Sequence, residues 1–305
     1  MQLYLPIAEL SVNIFVVLGL GLMVGFLSGM FGIGGGFLLT PALIFIGVPP
    51  VVAVSTQAPQ ILASSVSGVL AHWRRGNVDM AMGAILVVGG FIGSSGGVWL
   101  FALLRRLGQI DLVIELAYVS LLGSVGTLML AESIRVMLRA RRPAKRRRLH
   151  QHNLLHRLPF RIRFRKSRLY ISLLPPLLIG IFTGILVAVM GVGGGFIMVP
   201  AMIFLLGMPT LLTVGTSLFQ TIFVTINVTI LQAVGNYTVD VPLALLLTIG
   251  GVAGAQLGAE AGLRLKAEQL RGLLALLVLG VAAKVAYGLF TAPVDLFSVT
   301  GVVAP

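Results

Sequence analysis

The sequence predicts an all-α polytopic membrane protein with about eight transmembrane helices in two homologous repeats. The first observation is composition: 57% of the 305 residues are hydrophobic and only 10% are charged, whereas a soluble domain has about 25% charged residues. The second is that apolar stretches of about 20 residues, the length of a membrane-spanning helix, recur along the chain. The third is an internal repeat. Alternating ten-residue segments, which a transmembrane β-barrel would show, are not visible.

The repeat is centred on a glycine-rich sequence that occurs twice. GIGGGF at residues 32–37 aligns with GVGGGF at residues 191–196. An internal repeat with such a long period indicates that the architecture consists of repeated units. We therefore expect two homologous transmembrane repeats, residues 1–138 and 169–305, each with a Gly-rich broken or re-entrant helix. Further residues match across the repeat: Pro41 with Pro200, Thr56 with Thr216, and Gln60 with Gln220.

In the first half, an apolar run leads into the glycine sequence. The piece after it is too short to span a bilayer and ends at two prolines, and three longer helices follow. Asn77 or Asp79 can cap the second of these three, because their side chains accept hydrogen bonds from free backbone amides. The predicted helical segments are residues 11–30, 37–47, 51–72, 79–104 and 110–138.

The second half repeats this order, and Asp240 begins its fourth segment as Asp79 does in the first. Glycines 90, 93 and 97 match glycines 251, 254 and 258. They place small residues along one helix face, which lets two helices pack closely in lipid. The predicted segments are residues 169–190, 196–206, 210–234, 240–264 and 268–290. The pattern is compatible with parallel and with inverted repeats.

A basic linker, residues 139–168, separates the halves. Residues 135–168 hold 14 of the 22 Lys and Arg and no acidic residue, so this stretch carries the whole net charge of +13. Basic loops next to apolar spans stay in the cytoplasm. We expect the linker to be cytoplasmic and to lie on anionic lipid headgroups.

The glycine sequences predict a binding site. Irregular backbone at membrane depth is tolerated only against protein or a water-filled cavity. Phe37 and Phe196 each start a new helix, so free amides and the positive end of a helix dipole face each break, which favours an anion. Duplicated helix breaks indicate a transporter site near the bilayer midplane. The alternative is that the glycines only allow tight packing. The glycines of the predicted site are Gly34, Gly35, Gly36, Gly193, Gly194 and Gly195.

These glycine–proline motifs, each followed by a Gly-x-Pro and a threonine, resemble the TauE/SafE family of sulfite exporters, and the resemblance covers nearly the whole chain. It implies a multi-pass protein of the cell (inner) membrane that transports small sulfur-containing anions such as sulfite, sulfoacetate or related organosulfonates. The family pattern Gly-Thr-Ser is present at residues 215–217, but residues 55–57 read Ser-Thr-Gln. The two half-sites therefore differ.

Side chains downstream of each break can supply neutral donors to such an anion, which a fixed mid-membrane arginine would hold too tightly to release. Thr216 and Gln220 stand at i and i+4 on one helix and can face one cavity. Alternatively, the threonines and serines bond their own backbone. The predicted donors are Thr56, Gln57, Gln60, Thr216, Ser217 and Gln220.

Ionisable residues within the spans are candidates for coupling. Lys284 lies inside the last apolar run, where the alternative is snorkelling toward the membrane surface. Asp79 and Asp240 begin helices, and capping alone explains them. The three histidines of the linker stand among cations that repel a metal ion, so no metal or cofactor is predicted.

We considered three classes of function. A secondary active transporter is favoured, since no nucleotide-binding signature appears. An intramembrane enzyme would need a nucleophile–base set or metal ligands at depth, and neither pattern is present. The third is a non-transporting membrane scaffold or receptor that uses the basic linker for docking. A nucleic-acid partner is not expected, because the linker has too few aromatic residues to stack bases. The oligomeric state is open.

Overall fold

The computed structural model describes residues 2–31, 36–139, 161–164, 166–167, 169–262 and 267–290. The basic linker lies mostly outside these ranges. The first half begins with a short antiparallel hairpin and continues with five helices. Its elements are β1 (Gln2–Leu5), β2 (Leu10–Asn13), α1 (Ile14–Phe31), α2 (Gly36–Phe45), α3 (Pro50–Arg74), α4 (Met80–Arg106) and α5 (Ile110–Arg139).

The second half has the same order of elements: a hairpin, a long helix, a ten-residue helix and three more long helices. A π-helical turn (Gln232–Asn236) extends its third helix. The elements are β3 (Arg161–Phe164), β4 (Leu169–Ser172), α6 (Leu174–Met190), α7 (Gly195–Phe204), α8 (Thr210–Leu231), α9 (Val241–Gly262) and α10 (Ala267–Phe290). The common order supports two related halves, whose homology and boundaries stay predictions.

The helices confirm an all-α polytopic membrane fold. Within the described residues, four helical stretches are long and apolar enough to cross a membrane: 80–106, 110–128, 210–236 and 241–258. Shorter apolar helices include Ile14–Met30 and Leu174–Met190. Large apolar side chains such as Trp99 and Leu128 are exposed on the outer faces, as expected of surface that contacts lipid. The two hairpins, each of two four-residue strands, were not predicted, and β2 and β4 occupy the starts of segments expected to be helical.

Helices of opposite halves pack together through glycines. α1 packs along α9, and α4 packs along α6. A Cβ atom at Gly93 of α4 would lie 2.7 Å from the carbonyl carbon of Ile181 in α6, and one at Gly254 of α9 would lie 2.7 Å from the amide nitrogen of Phe26 in α1. Backbones therefore meet with no room for a side chain, which is how small residues stabilise helix pairs in lipid.

We predict that Gly93→Leu lowers the free energy of unfolding by about 1–3 kcal/mol or more, the range for overpacking. The matched control is Gly96→Leu on the same helix, where an added Cβ meets no atom within 4 Å. The melting temperatures of both variants are measured on protein purified in detergent, with size-exclusion chromatography as the readout of unfolding. Equal melting temperatures for the two variants would show that the α4–α6 contact does not depend on this glycine.

Each hairpin binds the start of a helix in the other half. Asp79 caps α4, accepting a hydrogen bond from Met82 N at 3.2 Å through Oδ1, while its Oδ2 accepts from the backbone N and the hydroxyl of Ser167, in the β3–β4 turn, at 3.1 and 2.5 Å. Asp240 caps α9 through Leu243 N at 3.2 Å, and its Oδ2 accepts from Ile7 N, in the β1–β2 turn, at 3.1 Å. Both carboxyl groups are thus placed as caps and hairpin anchors.

We predict that Asp79 and Ser167 are energetically coupled. Asp79→Ala should lower the free energy of unfolding by about 1–2 kcal/mol through loss of the cap. Loss of the contact with the hairpin should lower it further, because a hydrogen bond to a carboxylate contributes about 1.5–3 kcal/mol. Ser167→Ala should therefore cost little once Asp79 is absent. A double-mutant cycle by unfolding in mixed micelles tests this. Additivity within about 0.5 kcal/mol, as between distant independent sites, would contradict the prediction.

Candidate substrate site at the helix breaks

The second glycine break is fully buried. α6 ends at Met190, and Gly191 adopts a left-handed conformation with φ 67° that turns the chain. α7 then begins at Gly195, and Phe196 N and Met198 N bond to the carbonyl oxygens of Gly193 and Gly194 at 3.1 and 2.9 Å. The positive end of the α7 dipole therefore faces the break. This is the broken helix that the sequence predicts.

The start of α2, which follows the first glycine sequence, touches the second break. Gly34 and Gly35 lie outside the described residues, but Gly36 begins α2 and is buried. A Cβ atom at Gly36 would lie 2.6 Å from Gly191 O and 2.7 Å from Gly193 N. The rings of Phe37 and Phe196, which follow the two breaks, stack with centroids 4.5 Å apart. The N-termini of α2 and α7 therefore meet inside the protein.

Two side chains from the first half hold the end of α6. Gln57 Nε2 donates to Gly191 O at 2.5 Å, and the Tyr118 hydroxyl donates to Met190 O at 2.6 Å. Ser217, at the position equivalent to Gln57, donates to Val214 O of its own helix at 2.9 Å. The half-sites therefore differ, as the sequence difference predicts. Tyr118 was not among the predicted residues, since a lone tyrosine in an apolar run carries no signal for this contact.

Gln60 and Gln220 are the most informative of the predicted donors. Both are fully buried, and neither the nitrogen nor the oxygen of either side-chain amide has a hydrogen-bond partner among the described residues. The Oε1 of Gln220 lies 3.3 Å from where a Cβ atom of Gly194 would be. Buried polar atoms without partners cost free energy, and in a native protein they call for an explanation. A bound polar ligand supplies one.

The two glutamines occupy corresponding environments. The Nε2 of Gln220 lies 2.5 Å from where a Cβ atom of Gly90 in α4 would be. The Nε2 of Gln60 lies at the same distance from the corresponding point at Gly251 in α9. Each amide therefore packs against a glycine of the opposite helix and occupies the space that a side chain at that glycine would need.

The predicted threonines lie one turn earlier and bind backbone. Thr216 Oγ1 accepts from Asp79 N, and Thr56 Oγ1 accepts from Asp240 N, both at 3.0 Å. Each hydroxyl thus fixes the start of a helix in the other half. Gln60 follows Thr56 by four residues and Gln220 follows Thr216 by four, so each glutamine lies about 6 Å along the helix axis from its threonine.

Lys284 lies apart from the breaks. Its side chain is exposed, and Nζ lies 4.2 Å from the ring centroid of Phe45, at the C-terminal end of α2. Phe45 is about 14 Å along α2 from Gly36, at 1.5 Å per residue. Within the described residues, no three His, Cys, Asp or Glu side chains are grouped as metal ligands, and the linker histidines lie outside those residues.

Comparison with known proteins gives one family. The family model described as "Sulfite exporter TauE/SafE" matches residues 17–285. A "Probable membrane transporter protein" of Xylella fastidiosa (strain 9a5c) is 30% identical over 278 residues, which cover 88% of this chain and 94% of that protein. The Bacillus subtilis (strain 168) protein "Probable membrane transporter protein YjnA" is 29% identical over an alignment that covers 88% of this chain and 97% of that protein. The "Probable membrane transporter protein YunE" of the same strain is 25% identical, and the alignment covers 90% of this chain and 98% of that protein. No solved structure matches the chain.

Proposed function

Because the chain belongs to the sulfite exporter TauE/SafE family, we propose that it is a secondary active transporter of small sulfur-containing anions such as sulfite, sulfoacetate or related organosulfonates. The family and the names of the relatives support a membrane transporter, and the apolar helices support a multi-pass protein. The observation that carries the finer proposal is the pair Gln60 and Gln220, which are buried with amides that lack partners among the described residues, Gln220 beside Gly194 of the second break.

The proposed binding mode uses neutral donors. An anion at the second break receives hydrogen bonds from backbone amides at the start of α7 and from Gln220 Nε2, and the helix dipole adds a favourable potential. The first break and Gln60 supply the equivalent donors. Binding without a fixed cation keeps the anion releasable. The proposed site is Gly34, Gly35, Gly36, Thr56, Gln57, Gln60, Gly193, Gly194, Gly195, Thr216, Ser217 and Gln220.

The environment of the transporter follows from the charge distribution. We place it in the cell (inner) membrane, with residues 139–168 in the cytoplasm against anionic headgroups, because basic loops stay on that side. Asp79 and Asp240 are buried and Lys284 lies in the apolar helix α10, which supports a role in coupling to protons or to the membrane potential. In Asp79 and Asp240, that role would be combined with helix capping.

Flux into proteoliposomes tests the proposal. Labelled sulfite, sulfoacetate, thiosulfate and sulfate are offered with and without a pH gradient, and protein-free liposomes give the background. We expect saturable uptake of at least one sulfur anion above that background. Background-level uptake of all four anions under both conditions would contradict the assignment of a sulfur-anion substrate.

A further inference from the structure

No buried cation accompanies the two glutamines in the part of the chain that the structure describes. Among the described residues, the buried charged side chains are Asp79 and Asp240, and no lysine or arginine is buried. The carboxyl oxygens of both aspartates accept hydrogen bonds from backbone N–H groups, and those of Asp79 also accept one from the Ser167 hydroxyl.

The glutamines lie one helical turn from the starts of α4 and α9. Asp79 N bonds to Thr216 and Asp240 N bonds to Thr56, one helical turn before Gln220 and Gln60 respectively. A second negative charge on a ligand at the glutamines would therefore be buried without a buried lysine or arginine among the described residues to pair with it. Burying an unpaired charge is costly, which favours a ligand with fewer charges.

The amides also present acceptors. Each glutamine has an NH₂ group that donates and an oxygen that accepts, and all four atoms lack partners among the described residues. Sulfite dianion and sulfate offer only acceptors, so the Oε1 atoms would stay unpaired and repel them. Hydrogen sulfite in its O–H form has one fewer negative charge and one donor, which pairs with Oε1 while its other oxygens receive the N–H groups.

We propose that the site takes its oxyanion as a monoanion that still carries a proton, hydrogen sulfite for a sulfite substrate, and rejects the dianion. The inference rests on the proposed transport function and specifies the form of its ligand. It also means that each transported sulfite moves one proton with it, without a protein group having to titrate.

The protein's own titratable groups must be separated from this effect. On the elements packed around the two amides, His72 on α3 is the described group whose ordinary pKa is near neutral. The helices α2, α6, α7 and α8 carry no ionisable side chain. The remaining ionisable residues on α3, α4, α5 and α9 or their caps, within residues whose side chains are described, are Arg74, Arg75, Asp79, Arg105, Arg106, Asp111, Glu115, Tyr118, Asp240 and Glu260.

The experiment measures the KM for sulfite in proteoliposomes at equal internal and external pH, at values on both sides of the ionisation of hydrogen sulfite. Protein-free liposomes correct for permeation of neutral sulfur dioxide. We expect the KM for total sulfite to rise about tenfold per pH unit once the dianion dominates, while the KM for hydrogen sulfite stays constant. Sulfate, a dianion throughout, should not compete. His72→Gln should show the same pH profile as wild type.

The outcomes separate the two proposals. A KM for total sulfite that is independent of pH, or competition by sulfate equal to that of sulfite, overturns the monoanion inference and leaves sulfur-anion transport intact. A pH profile that disappears in His72→Gln assigns the effect to the histidine and also overturns the inference. Background-level sulfite flux at every pH, with flux of another sulfur anion or none, removes sulfite as the substrate on which the inference depends.

Discussion

Replacing Gln220 with leucine is expected to abolish most transport and, at the same time, to stabilise the protein. The amide is fully buried and its two polar atoms have no partner among the described residues. Loss of a hydrogen bond to a charged ligand costs about 1.5–3 kcal/mol, which is about a 10- to 100-fold loss of transport efficiency. Removal of unpaired buried polar atoms should raise the free energy of unfolding by about 1–3 kcal/mol.

Flux and thermal unfolding of the same preparation measure the two effects. The matched control is Gln109→Leu, the same change at an exposed position before α5, which should alter neither quantity. Gln60→Leu should behave as Gln220→Leu does, because its environment corresponds. A Gln220→Leu protein with normal flux would remove this amide from the site. One that unfolds more readily would show that the amide is a structural residue with partners in the native protein.

The second large effect is a contrast between two glycines of the same break. Gly194→Ala should fold, since φ −47° and ψ −28° suit any residue. Its methyl group, however, would lie 3.3 Å from Gln220 Oε1 and 3.2 Å from Thr221 Oγ1, where the ligand is proposed to bind. We expect at least a tenfold loss of flux, about 1.4 kcal/mol, with little change in melting temperature.

Gly191→Ala should do the reverse. Its φ of 67° disfavours any side chain, and the added methyl would collide with Gln57 and lie 3.1 Å from Val54 O. Strain at a left-handed position costs about 1 kcal/mol or more, and overpacking adds about 1–3 kcal/mol. Thermal unfolding should therefore detect Gly191→Ala, and flux should detect Gly194→Ala. Equal losses of stability in Gly191→Ala and Gly194→Ala would mean that the glycines of the break serve helix packing and do not form a binding site.

The sequence predicted those parts of the fold that depend on local pattern. The glycine breaks, the ten helical segments and the caps at Asp79 and Asp240 follow from composition, helix-breaking residues and capping chemistry, all of which act over a few residues. The structure places the second break, the helical segments and both caps near their predicted positions, and the first break lies outside the described residues. The glycines expected to pack helices do so: Gly93 and Gly97 meet α6, and Gly254 and Gly258 meet α1. The backbone of Gly90 also lies against α6, while its Cβ position faces Gln220.

The parts that the sequence could not predict depend on distant residues. The threonines were expected beside the glutamines in a cavity, but Thr56 and Thr216 bond to backbone 184 and 137 residues away. Gln57 was expected to face the ligand, and its amide nitrogen bonds Gly191 O of the other half. The hairpins were missed because four-residue strands are too short for a clear alternation, and RIRF lies within a strongly basic stretch. No local pattern specifies such partners.

The crossed pairing of the halves has a consequence for synthesis of the protein. α1 ends at Phe31, but its packing partner α9 begins only at Val241. The first helix therefore enters the membrane long before α9, which packs against its glycine face, has been synthesised. The N-terminal hairpin likewise forms long before Asp240, which it binds, has been synthesised. Most of the nascent chain must be inserted before the fold can close. A ribosome stalled before Val241 leaves an unpaired first helix, which cellular quality control can recognise as an unfinished membrane protein.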